Sequence, residues 1–132
     1  LSLNGLDALA CPVALSDWTG VAMLDLGEPG DTHSLTSRGT GVLCWKLDDL
    51  VRDMGGQIAR PDWIKVDVDG GEWGVLAGAR RIVWQAKGVL VEVCRETEQP
   101  VMALMHDLGF RVHSLHPHAS GVTNVIWTRK TS

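Results

Sequence analysis

The chain has no tyrosine and only one phenylalanine, and it lacks any excess of positive charge: 12 Lys and Arg stand against 16 Asp and Glu, a net charge of -4. That balance removes the electrostatic argument for a nucleic-acid partner, which needs a basic surface to displace counterions from phosphates. No apolar run approaches the roughly 20 residues needed to cross a bilayer. The first twenty residues also lack the basic start and apolar core of a secretory leader. The expectation is a soluble, cytoplasmic protein with no membrane span. The three cysteines, Cys11, Cys44 and Cys94, are odd in number and widely spaced. They read as reduced side chains in apolar strands, not as a disulfide framework or a metal set. Internal repeats and low-complexity tracts are missing too. The chain opens on Leu1 instead of Met, which raises the expectation of a piece of a longer protein.

What is present is an ordinary globular composition, 45% hydrophobic and 21% charged, in 132 residues that make one domain at most. Residues 11–45 read as short strands separated by turn chemistry: "CPVAL", a hairpin signal in "SDWTG", "VAMLDL", a Gly, Pro, Ser and Thr loop over 27–41, and "VLCWKL". From residue 47 strands and helices alternate. "LDDLVRDM" has the pattern of a short helix, "DWIKVDVD" of a strand, and "GGEWGVLAGARRIVWQA" of one helix over 70–86. "GVLVEVCR" is a strand, "EQPVMALMHDLGF" a helix, and "RVHSLH" with "VTNVIWTR" a closing strand pair. Such alternation is the grammar of a parallel sheet with helices on its faces, in which ligands sit beyond the carboxyl ends of the strands.

The strand "IKVDVD" therefore decides where to look. Side chains alternate along a strand, so Ile64, Val66 and Val68 share one face while Lys65, Asp67 and Asp69 share the other. A charged stripe in a sheet covered on both sides is costly unless it is paired or lines a site. Lys65 needs a partner, and Glu92 in the next strand is the natural one if the two strands are neighbours. Asp69 and Glu72, three apart at a helix start, have the spacing of a capping box. Asp67 has neither explanation, and it lies where a carboxylate can face a ligand, just before the glycines that turn the backbone. In the following helix Leu76, Ala79, Val83 and Ala86 make a core stripe, and Gly74 and Gly78 permit close approach to the sheet or to the loop above it.

With those residues in place, "PDWIKVDVDGGEWGVLAGARRIV" resembles the signature of the FkbM-type methyltransferases, approximately Lys-Ile-Asp-Val-Glu-Gly-Ala-Glu followed by a Val-Leu-x-Gly-Ala helix. Lys65, Asp67, Gly70, Glu72, Val75, Leu76, Gly78 and Ala79 match it. "PVALSDWTG" resembles the family's Ala-Leu-Ser-Asp-x-x-Gly segment and "WKLDDLV" its Thr-Leu-Asp-Asp stretch. Downstream, "VLVEV" and "LMHDLGFRVHSL" resemble the strand, helix and strand that follow. Asp69 and Gly71 depart from the family's glutamate and alanine. The family's opening strand with its Gly-rich turn, and the next strand with its ribose-binding acid, have no counterpart in residues 1–132.

The resemblance implies an α/β, Rossmann-like methyltransferase sheet with helices on both faces, lacking the N-terminal cofactor-binding βαβ unit. It implies S-adenosyl-L-methionine as cofactor and a hydroxyl of a small molecule, sugar or glycan as methyl acceptor. It places Asp67 beside the sulfonium and acceptor, Lys65 orienting it, Glu72 shaping the acceptor side, and Ala14, Leu15 and Ser16 bordering the adenine. Which carboxylate removes the hydroxyl proton stays open, as does a metal held by Asp67, Asp69 or Glu72.

Two alternatives stand beside it. One is a truncated or inactive methyltransferase portion that keeps the fold but not the cofactor. The other is a haloacid-dehalogenase-like phosphohydrolase, because "IKVDVDGG" also resembles a strand ending in Asp-x-Asp-Gly, with Asp67 as nucleophile, Asp69 as acid/base and Mg²⁺ required. Against the latter, 66 residues precede Asp67, whereas that motif opens its domain. The downstream Gly-Asp-x-x-x-Asp metal motif is also missing. His113, His116 and His118 read as a surface turn. Trp63, Trp84 and Trp127 read as core or half-buried, while Trp18 and Trp73 flank the ligand end.

Overall fold

The computed structural model describes residues 4–25, 35–36 and 38–129, the side chain of Thr36 excepted, as two four-stranded sheets with helices. The first sheet holds β1 (Ala14–Leu15), β2 (Gly20–Leu24), β3 (Leu35–Thr36) and β4 (Thr40–Trp45) in the order β1-β4-β2-β3. The "SDWTG" turn does not close a hairpin. β4 lies between β1 and β2, parallel to the former through Ala14↔Cys44 and Leu15↔Trp45 and antiparallel to the latter. The strand expected over 11–15 is reduced to two residues. Most of the loop expected over 27–41 lies outside the described residues.

The second sheet holds β5 (Trp63–Val66), β6 (Gly88–Val93), β7 (Phe110–Pro117) and β8 (Thr123–Arg129) in the order β5-β6-β8-β7. β5 and β6 are parallel, and the closing pair is antiparallel as its short connection requires. In place of one parallel sheet there are two mixed ones. The helices are α1 (Leu47–Asp53), α2 (Glu72–Ala77), α3 (Arg80–Gln85) and α4 (Glu98–Asp107). Among the described residues no helix is long and apolar enough to cross a membrane.

Register sorts the second sheet into two unlike faces. Ile64 and Val66 stand beside Val89 and Val91, which pair with Trp127 and Val125. Leu76 of α2, Val83 of α3, and Val101, Leu104 and Met105 of α4 bury this face. Each such side chain contributes about 1.5–3 kcal/mol by leaving water. The other face carries Lys65, Leu90, Glu92, Asn124 and Ile126, half-buried or exposed. The core-forming helices thus gather on one face, not on both, and the charged stripe of β5 lies on the other. That placement resolves the cost of burying it.

The helix expected over 70–86 is two helices, because α2 ends at Ala77 and α3 starts at Arg80. Asp48 of α1 makes the second start possible. Its Oδ2 accepts the Arg81 N–H and its Oδ1 the Ile82 N–H, both at 2.9 Å, satisfying donors that a new helix leaves orphaned. The Asp48 N–H donates to the Gly78 carbonyl at 3.0 Å, which fixes the break itself.

Two tryptophans depart from expectation. Trp127 is fully buried, but Trp63 and Trp84 are exposed at 56% and 61%. Strand alternation turns Trp63 away from the helices. Trp84 points outward from α3, with the Arg129 guanidinium 5.3 Å from its ring centre. Cys11, Cys44 and Cys94 are all free thiols; Cys44 alone of them is buried.

Candidate functional site

The carboxyl end of β5 leads into the site. The strand stops at Val66, Asp67 to Asp69 continue out of it, and Gly70 turns the chain with φ 84°, a conformation that excludes most side chains. The N-cap of α2 is Gly71, so Asp69 is not the capping residue the spacing suggested. Half of the expected exchange survives in altered register: Glu72 Oε1 accepts the Gly70 N–H at 2.9 Å. Glu72 is 1% exposed, and its Oε2 has no hydrogen-bond partner among the described residues. Leaving such an oxygen unsatisfied costs about 1–3 kcal/mol, more if charged.

Lys65 finds its partner two residues along the chain, just past the end of β5. Its Nζ lies 2.6 Å from Asp67 Oδ2, in place of the direct pair with Glu92 that the alternation suggested. Register sets Lys65 opposite Leu90, one pleat short of Glu92 on the same face. The hydrogen bond to Lys65 holds the Asp67 carboxyl below its usual range, with Glu92 as a second contributor. The same bond raises Lys65. Glu92 Oε1 accepts the Asn124 amide at 3.4 Å, and that amide lies 2.9 Å from His118 Nε2. A polar row therefore runs across β5, β6 and β8.

Between the two sheets lies a cavity of about 720 Å³. Ala14, Leu15 and Ser16 line it from the first sheet, Lys65 and Asp67 from the second, with Trp18, Leu24, Leu35, Leu47 and Ile64 as apolar wall. Five of the six residues singled out in the sequence thus meet on one cavity. Small residues in α2 and just after it allow the meeting: a Cβ on Gly78 would stand 2.0 Å from the Ser16 carbonyl, and one on Gly74 3.0 Å from Ser16 Oγ. The loop above the helix, not the sheet, is what these glycines admit.

Glu72, the sixth, lines a second cavity of about 260 Å³ together with Glu92, Cys94 and Val122. Val68, Asp69 and Gly70 border both cavities. Trp18 lines the larger one, whereas Trp73 lines neither. The alternation singled out Glu92 only as a partner for Lys65. A glutamate interrupting "VLVEV" was the available signal for a site role. Cys94 gave no such signal. Among the described residues no group of three or more His, Cys, Asp or Glu is placed to hold a metal ion. His116 instead contacts Ser114 Oγ and His118 the Asn124 amide.

A protein-family model described as the methyltransferase FkbM domain matches residues 12–112. The match takes in both walls of the larger cavity and all residues of the smaller except Val122. Comparison with curated proteins and with solved structures gave no match.

Proposed function

Because the chain belongs to the methyltransferase FkbM domain family, we propose that it serves S-adenosylmethionine-dependent O-methylation of a hydroxyl on a small molecule, sugar or glycan, in the cavity between the sheets. The observation that carries this reading is the convergence of Ala14, Leu15 and Ser16 with Lys65 and Asp67 on that cavity. Family membership also favours it over the phosphohydrolase alternative.

The residues fit the cofactor in two respects. Apolar walls from Leu24, Leu35, Leu47 and Ile64 suit a flat heterocyclic base, and the cavity is of ligand size. Asp67, whose carboxyl Lys65 holds below its usual range, suits a positively charged sulfur. When bound, the cofactor supplies a methyl group on that sulfur.

The chain's own part is orientation and charge. Ala14, Leu15 and Ser16 border the adenine. Lys65 binds Asp67 Oδ2 and the Glu92 side chain also meets this carboxyl, so in this reading the acceptor hydroxyl donates to a remaining lone pair of Oδ1. A carboxylate of low pKa is a weak general base, but a hydroxyl becomes strongly acidic once its oxygen takes a methyl group. Oδ1 therefore suffices to receive the proton. Lys65 acts as a positioning residue, and Glu72 shapes the acceptor side from the adjoining cavity.

In the same reading the fold is the carboxyl-terminal portion of a Rossmann-like sheet. Among the described residues β1 and β5 each end a sheet, and each lines the larger cavity, where further strands of such a sheet would pair. The two open sheet edges beside the cavity are what favours the second reading, an inactive portion. Calorimetric titration with S-adenosylmethionine separates the two. Stand-alone activity expects saturable binding, weakened about tenfold or more in Asp67→Asn; heat indistinguishable from dilution would leave only the inactive portion.

A further inference from the structure

The smaller cavity enters the methyl-transfer reading only through Glu72, as a wall of the acceptor side, which leaves its acidity unexplained. Asp69, Glu72 and Glu92 line it, and no lysine, arginine or histidine does. Lys65, on the same face of the sheet, lines the larger cavity and is bound to Asp67, with Glu92 adding a weaker attraction.

Acidic clustering alone would say little, but Glu72 adds an independent observation. It is buried at 1% exposure, with Oε1 on the Gly70 N–H and Oε2 without a hydrogen-bond partner among the described residues. A carboxyl's terminal torsion is broad, so a donor entering the cavity can be met by a small rotation. Glu92 meets the Asp67 carboxyl and takes a long 3.4 Å contact from Asn124, whose amide is shared with His118; a carboxyl group with about four lone-pair sites keeps acceptor capacity beyond these two contacts. Val68 and Val122 supply an apolar side.

We infer that this cavity is a subsite for a protonated primary amine, with the Glu72 and Glu92 carboxylates accepting its N–H donors. The class of ligand is an amine-bearing acceptor, of which an amino sugar is the type that fits. At about 260 Å³ the space is below the usual range for a whole drug-sized ligand, and it suits a single ring or chain end. Val68, Asp69 and Gly70 line both cavities, so a ring seated here has its neighbouring atoms beside Asp67. Assignment of the amine to the methyl acceptor rests on the function proposed above; the amine subsite itself does not.

The test uses glucosamine and glucose as probes, which differ in one ammonium group against one hydroxyl. In amide NMR spectra of the full chain, glucosamine is expected to shift Gly70, Cys94 and Val122 saturably, and glucose to need at least about tenfold higher concentration. Glu72→Gln and Glu92→Gln should each remove most of that preference. Should Glu72→Gln fail to fold, Glu92→Gln carries the test. Equal responses to the two sugars, or a preference unchanged in the variants, would overturn the subsite. S-adenosylmethionine calorimetry on the same samples keeps the two readings apart. Amine preference without cofactor binding supports the subsite and counts against stand-alone methyl transfer. Cofactor binding without amine preference does the reverse.

Discussion

Asp67 and Lys65 are separated by one residue, and on a strand that spacing puts them on one face and within 2.6 Å. Their shifts have opposite directions: Asp67 lies below and Lys65 above its ordinary value. A depressed carboxyl contributes stability above its unfolded value of about 3.9, and loses it as pH falls through the lower folded value. A raised lysine contributes below its unfolded value of about 10.4, and loses it as pH rises through the higher folded one. The pair is therefore intact across the whole neutral range, and exposure of both side chains keeps its contribution to stability small. Its consequence is chemical. Carboxyl NMR titration should place Asp67 below the usual aspartate range, and Lys65→Met should move it upward. An unchanged midpoint in that variant would remove Lys65 as the positioning group, which a merely structural lysine would not distinguish.

Asp48 shows why some elements could be read from the sequence and others could not. β5, β6, α4, β7 and β8 announce themselves through local periodicity; the observed bounds of β5, β6, α4 and β8 fall inside the expected segments, while β7 runs one residue past "RVHSLH" at each end and takes Phe110 from the expected helix. The break between α2 and α3 has no such signature, because Gly78 and Ala79 sit in a sequence of unbroken helical pattern. Its cap comes from Asp48, 33 positions before Arg81. A contact at that separation is set by packing of α1 against α3, not by neighbouring residues. The same limit explains Asp69: spacing suggested a cap, but the turn at Gly70 moved the helix start to Gly71. If Asp48 holds the second helix start, Asp48→Ala should cost about 1–2 kcal/mol. Urea unfolding should show this as a lower midpoint with unchanged slope. A variant as stable as the parent would mean that the Arg81 and Ile82 donors find other partners.

Over the whole molecule, strand pairing was the least legible property, since it joins residues far apart in the chain. Nothing local in "SDWTG" says that β4 will come between β1 and β2. The two-faced second sheet has a local trace in "IKVDVD", whose strict alternation suits one covered face and one open face, but the expected sheet carried helices on both faces. What alternation could not show is that β5 ends its sheet, with β6 as its sole partner strand among the described residues. An edge strand presents unpaired backbone groups and tends to recruit another strand. β6, between β5 and β8, has both edges satisfied. Hydrogen exchange at high dilution should therefore find Val89, Val91 and Val93 among the slowest amides, while the outward-facing half of β5 exchanges much faster. Raising the protein concentration should slow the β5 amides and leave β6 unchanged, as copies associate through that edge. Protection in β5 equal to that in β6 at high dilution would show the edge already covered, and with it the room for further strands beside the larger cavity would disappear.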